Sequence, residues 1–339
     1  MSEEIEKDDK GTSYVAVAIG KVEPEKVLDT AIYLKIDGKF LKFKHAGDFI
    51  EDEKFNFFIQ KNLKNIYVLE EEIEAFMAWI SEKRKEVVDS IVAEVGEEHR
   101  EVVEKNEDIR ERVFDTFTDL EIDSGIVDIL QEQVNEFISE VKEIDLSKAV
   151  LTKMLKHNAS TADHALNVAN VALYMAMVLG HGNYQVLEDI YMGAIFHDYY
   201  KMKIPPEVLA NKQNFQYAQA MEEHPKKSAA SVRKLEGIRE EVIKIIEQHH
   251  EQYNGTGYPA KLKGDQIFGL AKIVSMANIF DNIVLENKNK SKKEKYRAAI
   301  KILEYDKGKQ FDPDLIEKVI TPLKLAYGDY YISPTGESA

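Results

Sequence analysis

The residues with the clearest chemical potential in this sequence are histidines that lie close together along the chain. Six of the nine histidines fall between residues 164 and 250, and one of these, His181, lies in a predicted loop. The other five, with the aspartate that follows one of them, are His164, His197-Asp198, His224 and His249-His250. Imidazole and carboxylate groups suit iron, manganese, zinc or nickel. A cluster this dense predicts two metal ions, and two bridged metals are a common arrangement for hydrolysing phosphate esters.

The His197-Asp198 pair ends an apolar predicted helix, DIYMGAIF. Neighbouring side chains on a helix point about 100° apart, so the pair could bind one metal, or Asp198 could bridge two. The alternative is a helix-terminal histidine that interacts with the helix dipole. Lys201, about one turn later, favours the metal site because its ammonium could donate to a phosphate or to a bound water.

The other histidines each have a structural alternative when taken alone. His164 lies in a helix with one apolar side, where a single histidine is more often a core or capping residue. His224 precedes Pro225, which predicts a helix that begins at that proline. His249-His250 end a further predicted helix and could serve two metals, although a solvated helix end is the favoured explanation for that pair in isolation. Taken together, the histidines favour a metal site more strongly than any one of them does alone.

A glycine-rich loop follows the histidine pair. Its segment 254–259, NGTGYP, contains residues that favour turns, and its glycines allow close approach of the backbone. Tyr258 would bring a hydroxyl and a stacking face beside the metal cluster. The alternative is an ordinary surface turn.

The composition limits the classes of protein that this chain can belong to. With 44% hydrophobic residues, its 339 residues can bury a substantial core. A net charge of −16 argues against a DNA-binding surface. The absence of cysteine excludes disulfides and thiolate ligands and fits a reducing compartment. No apolar run approaches a membrane span, and the acidic first residues lack the apolar stretch of a signal peptide. We therefore expect a cytoplasmic protein.

The elements that would position these residues follow from the pattern along the chain. Residues 1–12 are polar and are predicted to be a disordered tail. Residues 13–70 predict a small α/β domain for sensing, partner binding or dimerisation, in which Asp37-Gly38 indicates a type I′ hairpin. Its expected elements are strands at Ser13–Val22, Ala31–Ile36 and Phe40–Lys44, a helix at Glu51–Asn62 and a strand at Asn65–Leu69.

The rest of the chain is predicted to be helical. Residues 71–146 form a connector in which apolar residues recur every three to four positions, and it could support a homodimer. Its predicted helices are Glu70–Val95, Glu97–Leu120 and Ser124–Ile144. Residues 147–330 form the domain that carries the histidines. The predicted fold class is therefore mainly α, with an all-helical catalytic domain preceded by a small α/β domain and a helical connector.

Several of these motifs resemble those of the HD-GYP family, a branch of the HD-domain metal-dependent phosphohydrolases. The motifs are His197-Asp198, HHE at 249–251 and Gly257-Tyr258-Pro259, with IPPEVL at 204–209 and GKQFDP at 308–313. The similarity covers about residues 147 to 325. It implies an all-helical HD-type domain with a two- or three-metal centre, of which we expect two divalent metal ions here, and hydrolysis of cyclic di-GMP to pGpG or GMP in bacterial second-messenger signalling. Iron or manganese are the expected metals, with other transition metals left open.

The resemblance also implies a role for each matching residue. The implied metal ligands are His164, His197, Asp198, His224, His249, His250 and, at the last position, Asn278. The implied catalytic residues are Asp198, Lys201 and Tyr258. The implied substrate-binding residues are Lys201, Gly257, Tyr258 and Pro259.

The sequence departs from the family pattern at four places. Asn278 stands where the A-D-x-x-D-A motif has its ligand aspartate, which removes one negative charge, and Asp281 could compensate directly or through water. Tyr200 replaces the glycine before Lys201 and could crowd the pocket. The segment 285–293, LENKNKSKK, lacks the arginine of the family's R-P-Y-type segment. Ser160 stands where trinuclear members carry glutamate, so we expect no third metal.

Three functions are compatible with this sequence. The intact histidines, Lys201 and the Gly-Tyr-Pro motif favour a phosphodiesterase that hydrolyses cyclic di-GMP. Asn278 and the missing arginine favour a catalytically degenerate HD-GYP domain that acts as a metal- or nucleotide-binding receptor or scaffold. The altered substrate segment leaves open a phosphohydrolase that acts on another nucleotide. We predict the first of these functions, with cyclic di-GMP or a related nucleotide as ligand and a protein partner for the N-terminal domain.

Overall fold

An antiparallel five-stranded sheet opens the chain in this computed structural model, which describes residues 5–61, 63–118, 124–145, 149–156, 160–287 and 289–327. The strands are β1 (Ile5–Lys7), β2 (Ser13–Ala18), β3 (Ile32–Ile36), β4 (Lys39–Lys44) and β5 (Asn65–Leu69). Their order across the sheet is β1-β2-β5-β3-β4. A helix, α1 (Asp52–Gln60), joins β4 to β5. The small α/β domain therefore has the predicted elements.

The β3–β4 turn confirms the predicted hairpin. Asp37 and Gly38 have φ values of +49° and +76°, the left-handed conformations that a type I′ turn requires. Strand β2 is shorter than predicted because Ile19–Lys21 forms a 3-10 turn after it.

The disordered tail predicted for residues 1–12 is wrong where the structure describes it. Ile5–Lys7 is strand β1, which pairs with β2. The side chain of Asp8 explains the tight turn between them, because its Oδ1 accepts hydrogen bonds from the backbone N–H groups of Lys10 and Thr12, each at 2.9 Å. A polar sequence thus gains a strand through local turn chemistry and tertiary pairing.

The predicted connector helices are present, but they belong to the main core. They are α2 (Ile73–Val95), α3 (Arg100–Thr118) and α4 (Ser124–Lys142). Apolar residues of α3 such as Val103, Ile109 and Val113 are fully buried within this one chain. The ring of Phe117 also stacks on Tyr199 of the histidine-bearing domain, with the centroids 5.7 Å apart. Because these apolar faces are already covered within the chain, they give no support to a homodimer through the connector. That homodimer stays a prediction.

Nine helices make up the remainder of the described chain. They are α5 (Val150–Lys153), α6 (Thr161–Val178), α7 (Tyr184–Phe196), α8 (Pro206–Leu209), α9 (Phe215–Val232), α10 (Glu240–Gln248), α11 (Gly269–Glu286), α12 (Lys292–Tyr305) and α13 (Pro313–Ala326). Helix α6 packs against α7 and α11, and α10 packs against α7 and α9. These packed helices carry the histidines, and the mainly helical fold class is confirmed.

The helix around His224 starts earlier than predicted. Helix α9 begins at Phe215, where the side chain of Asn214 accepts a hydrogen bond from the N–H of Gln216, and Pro225 lies in the helix interior. The prediction that Pro225 opens a helix is therefore wrong. An asparagine cap, Asn214, which lies eleven residues before Pro225, fixes the start.

Some predicted boundaries lie outside the described residues. They are the domain boundary at 146–147, the helix ends at Asn62 and Leu120, and the domain end at 330. Within the described part of the chain, no helix combines the length and apolar character needed to cross a membrane.

Candidate metal centre

Four helices bring the predicted ligands to one place. His164 lies in the first turn of α6, His197 and Asp198 follow the end of α7, His224 is inside α9, and His249 with His250 follow the end of α10. The side chains of the first five are almost fully buried, with Asp198 only 1% exposed. Residues up to 86 positions apart in sequence thus form one cluster in the interior.

Asp198 stands between two groups of histidines. Its Oδ2 lies 3.3 Å from His197 Nε2 and 3.7 Å from His164 Nε2. Its Oδ1 lies 3.0 Å from His224 Nε2 and 3.8 Å from His249 Nε2. Within each of the two groups the potential ligand atoms are within 4.8 Å of one another, and His250 belongs to the group on the Oδ1 side. This carboxylate can therefore bridge two metal ions.

Backbone carbonyls fix the protonation of three of these rings. Nδ1 of His197, His224 and His249 lies 2.6, 2.8 and 2.8 Å from the carbonyl three residues earlier. A carbonyl oxygen only accepts hydrogen bonds, so each Nδ1 must carry a proton, which leaves Nε2 as the ring nitrogen that is available to a metal. All three Nε2 atoms face the cluster, where they could coordinate a metal.

Each of these carbonyls is free for a specific reason. His197 and His249 lie just past the ends of α7 and α10, where the last carbonyls of a helix have no partner within the helix. His224 lies inside α9, where the carbonyl of Met221 would normally bond to the N–H of residue 225. Pro225 has no N–H, so this carbonyl is available to the His224 ring. Pro225 thus leaves free the carbonyl oxygen that holds the His224 ring.

The close approach of lone-pair atoms fits a metal site. His224 Nε2 lies 3.0 Å from Asp198 Oδ1 and 3.3 Å from His249 Nε2, and none of these three atoms carries a proton in the neutral rings. Within the described residues, His197 Nε2, Asp198 Oδ1 and His250 Nε2 are buried without a hydrogen-bond partner. Buried polar atoms without partners are costly, and a cation between them removes that cost. The donors present fit divalent metal ions.

The pKa shifts keep these groups in the forms that bind metal. Burial lowers the pKa of His224. Burial, with neighbouring imidazoles, lowers the pKa of His249 and His250 well below the ordinary histidine value. Burial would raise the pKa of Asp198, but His197 and the ammonium of Lys201 outweigh it and hold that pKa well below its ordinary value. At neutral pH these three histidines are neutral and Asp198 is a carboxylate.

Asp281 contacts the predicted ligand His164 with one oxygen and Asn167 with the other, and its role as an auxiliary ligand stays a prediction. Its Oδ2 lies 2.7 Å from His164 Nδ1, and its Oδ1 accepts a hydrogen bond of 3.0 Å from Asn167 Nδ2. This carboxylate orients the His164 ring and leaves its Nε2 facing Asp198. Asn167 carries no motif signal, so sequence analysis missed it.

Asn278 is buried in α11 one turn before Asp281. Its Oδ1 accepts a hydrogen bond of 2.7 Å from the side chain of Asn282, which takes the last position of the A-D-x-x-D-A pattern. The amide oxygen keeps a second lone pair, so it can still coordinate a metal. Its role as a ligand stays a prediction.

Lys201 and the Gly-Tyr-Pro loop border the cluster. Lys201 Nζ lies 2.6 Å from Asp198 Oδ2. The Tyr258 ring stacks on His250 with the centroids 4.7 Å apart, and burial raises the pKa of its hydroxyl above the usual value. At Gly257 a Cβ would lie 2.3 Å from Gln252 N, so only glycine fits. These three residues therefore lie beside the cluster, and their catalytic and substrate-binding roles stay predictions.

The acidic residue of the HHE segment holds this loop in place. Glu251 is buried, and its two carboxylate oxygens accept hydrogen bonds from the N–H groups of Ala260 and Leu262, at 2.6 and 2.9 Å. Sequence analysis quoted this glutamate in the motif but assigned it no role. Tyr200, expected to crowd the pocket, donates its backbone N–H to Ser228, and Lys227 Nζ lies 4.9 Å from its ring centroid.

Comparison with known proteins agrees with this geometry. The family model described as HD domain matches residues 140–315, just over half of the chain. The chain belongs to the HD domain family, whose phosphohydrolases depend on metals.

The chain is also similar to several named proteins and to a solved structure. The cyclic di-GMP phosphodiesterase response regulator RpfG of Xanthomonas campestris is 28% identical over 203 residues, which is 56% of this chain and 51% of that protein. A cyclic di-GMP phosphodiesterase of Vibrio cholerae is 30% identical over 142 residues, 39% of this chain and 28% of that protein. The 3'3'-cGAMP-specific phosphodiesterase 2 of the same organism is 26% identical over 181 residues, 52% of this chain and 33% of that protein. The chain thus spans about half or less of the length of these relatives.

The fold agrees with that of Bd1817, a HDG"Y"P protein from Bdellovibrio bacteriovorus. The TM-score is 0.65 at 21% identity, and the match covers 92% of this chain and 99% of that one. The likeness therefore extends beyond the histidine-bearing domain. The resemblance to the HD-domain phosphohydrolases is thus confirmed at the level of the HD domain family, and the fold is similar to that of an HD-GYP-type protein.

Proposed function

We propose that this chain is a metal-dependent phosphodiesterase that hydrolyses cyclic di-GMP to pGpG or GMP. The observation that carries the proposal is the position of Asp198, whose two oxygens face separate groups of buried or half-buried histidines. A pair of divalent ions bound there supplies the charge that stabilises the attacking and leaving oxygens of an in-line displacement. Iron or manganese is proposed, because imidazole and carboxylate donors suit both.

The surrounding residues would bind and orient the phosphate. Lys201 is 22% exposed and reaches the centre, so its ammonium can turn from Asp198 to neutralise a non-bridging phosphate oxygen. The raised pKa of Tyr258 keeps its hydroxyl protonated, so it can donate to the phosphate or ribose. Gly257 and Pro259 set the position of that tyrosine. The ligands proposed for the ions are His164, His197, Asp198, His224, His249, His250 and Asn278.

The relatives support this substrate class, because they are named for cyclic dinucleotides. Two of the relatives described above act on cyclic di-GMP by name and one on 3'3'-cGAMP. The degenerate receptor gains no support, because the relatives are named as phosphodiesterases and the histidine donors are complete. We propose that the protein acts in the cytoplasm in bacterial second-messenger signalling, and that its N-terminal domain binds a partner.

A hydrolysis assay with product chromatography tests this function. Protein loaded with Mn(II) or Fe(II) is incubated separately with cyclic di-GMP and with 3'3'-cGAMP, beside the variant Lys201→Met. We expect pGpG or GMP from cyclic di-GMP, faster than any turnover of the cGAMP, and a fall of 10²-fold or more for Lys201→Met. A metal-loaded protein that cleaves neither nucleotide contradicts the proposal. Faster cleavage of 3'3'-cGAMP than of cyclic di-GMP would contradict the proposed substrate but would still support a phosphodiesterase.

A further inference from the structure

A buried polar network joins the small N-terminal domain to His164. It begins at Glu23, just after the 3-10 turn that follows β2, where one carboxylate oxygen accepts hydrogen bonds from two cations. Arg110 Nη1 lies 3.0 Å and Lys156 Nζ lies 2.9 Å from that oxygen. Glu23 is thus the junction between the small domain, helix α3 and the segment before α6.

One branch of the network runs from Lys156 to the ring of His164. The backbone N–H of Lys156 donates to Asn167 Oδ1 at 3.0 Å, and Asn167 Nδ2 donates back to the Lys156 carbonyl at 2.6 Å. The same Nδ2 reaches Asp281 Oδ1 at 3.0 Å, and the other oxygen of Asp281 holds His164 Nδ1. Each member fixes the next, up to the metal ligand.

The second branch anchors the start of α6, on which His164 lies. Arg110 Nε donates to Asp163 Oδ1 at 2.7 Å, and the hydroxyl of Ser160 donates to Asp163 Oδ2 at 2.6 Å. Ser160 also caps the helix by accepting from the N–H of Asp163. Arg110 and Asp163 are 3% and 1% exposed, so solvent screens this ion pair little. The backbone of the helix turn that carries His164 is thus tied to Glu23 as well.

The two sides of Asp198 differ in how their ligands are held. His224 and His249 are fixed by carbonyls of their own helices, and these contacts do not involve the small domain. His164 is fixed by a side chain that belongs to the network. A change at Glu23 should therefore reach the side of Asp198 that carries His164 and leave the opposite side unchanged.

We propose that Glu23 is a positioning residue of the metal centre, so that the small N-terminal domain completes the site that contains His164. The proposal rests on the binuclear centre of the proposed function but not on its substrate. Burial opposes a charge on Glu23, yet Arg110 and Lys156 hold its pKa below the ordinary value, so it stays ionised. Residues that hold a metal-bound histidine through hydrogen bonds commonly change metal affinity about 10- to 100-fold when replaced.

Titration of metal-free protein with Co(II), followed by visible absorption, tests the proposal. The variant is Glu23→Gln, and the matched control is Glu86→Gln, which removes the same charge from the same cleft but takes no part in the network. We expect two Co(II) equivalents in the wild-type protein and in the control. In Glu23→Gln the first equivalent should bind as in wild type, and the second about tenfold more weakly with an altered spectrum.

If Glu23→Gln binds both Co(II) equivalents as tightly as the wild type does, the proposal is overturned. An equal loss of affinity for both equivalents also overturns it, because such a loss marks general destabilisation. Binding of a single equivalent by the wild-type protein also overturns it. Glu23→Asp repeats the titration if Glu23→Gln does not fold, because it keeps the charge but shortens the reach to Arg110 and Lys156; the same selective loss is expected. No nucleotide is needed, so a protein that binds two ions but cleaves nothing refutes the proposed function alone.

Discussion

The ring Nδ1 of His224 lies 2.8 Å from the carbonyl oxygen of Met221, an oxygen that a regular helix would give to the N–H of residue 225. Pro225 leaves it free. A proline inside a helix costs about 3 kcal/mol, so its presence there is best explained by the ligand that it prepares. Helix geometry thus orients a candidate metal ligand at this position.

Pro225→Ala should weaken metal binding while it stabilises the helix. The new N–H competes for the Met221 carbonyl, so the His224 ring loses the contact that keeps its Nε2 unprotonated. We expect metal affinity to fall about tenfold, and the midpoint of thermal unfolding of the metal-free protein to rise. Pro322→Ala, in the interior of α13, is the control and should leave metal affinity unchanged. Unchanged affinity in Pro225→Ala argues against this role of the proline.

Asn278→Asp should strengthen metal binding. The substitution restores one negative charge at the predicted last ligand position, and Asn282 can donate to the new carboxylate as it does to the amide. We expect a gain in affinity of about tenfold for one Mn(II) equivalent, measured by competition with a chelator. Asn282→Asp places the same charge one turn away and should gain less. Equal effects of the two changes would show that Asn278 does not coordinate the ion.

Gly257→Ala should impair turnover without unfolding the protein. The added methyl would lie 2.3 to 2.6 Å from backbone atoms of residues 250 to 252, so the loop that carries Tyr258 must move. We expect kcat to fall at least tenfold, because a small displacement of a positioning group has large effects on rate. Gly269→Ala is the control, since a Cβ there meets no atom within 4 Å. Wild-type kcat in Gly257→Ala would contradict the assigned role of the loop.

The stability of the protein should depend on the protonation of Asp189, which lies in α7 away from the ligands. Burial raises its pKa to about 6, with Arg239 opposing the shift. Between about pH 4 and pH 6, the folded state therefore keeps a proton on Asp189 that the unfolded state has lost. This bound proton stabilises the folded state, and the stabilisation is lost as the pH rises through 6.

Asp189→Asn should consequently raise stability above pH 6 by on the order of 1 kcal/mol, since it removes the cost of a buried charge. The gain should shrink toward pH 4. Chemical unfolding at pH 7.5 and pH 4.5 measures the difference between the variant and the wild type. A variant that is less stable than the wild type at pH 7.5 would show that the contact of Asp189 with Arg239, at 3.6 Å, outweighs burial.

Sequence analysis predicted the elements that depend on local signals. Asp37-Gly38 identified its hairpin because only certain residues adopt two consecutive left-handed conformations. The histidines and Asp198 were found because their side-chain types suit metals and their motifs match a family. The predicted start of α9 was wrong because Pro225 suggested a helix start, whereas the helix is capped by Asn214 further upstream.

Contacts between distant positions could not be predicted in this way. His164 and Asp281 are 117 residues apart, and Arg110 and Glu23 are 87 apart. Charged residues such as Glu23 and Arg110 resemble surface residues in the sequence, since nothing local shows that they are buried together. Strand β1 likewise depends on pairing with β2. Only tertiary packing shows which charged groups face one another.

The most direct test of the account is the metal content of the wild-type protein and of Asp198→Ala, both purified without oxygen and assayed for cyclic di-GMP hydrolysis on the same samples. The wild type should hold about two ions per chain and release pGpG or GMP. Asp198→Ala should hold less than one ion and release no product, because both ions lose the ligand they share. A variant that keeps two ions, or that hydrolyses the nucleotide at the wild-type rate, contradicts a centre bridged by Asp198.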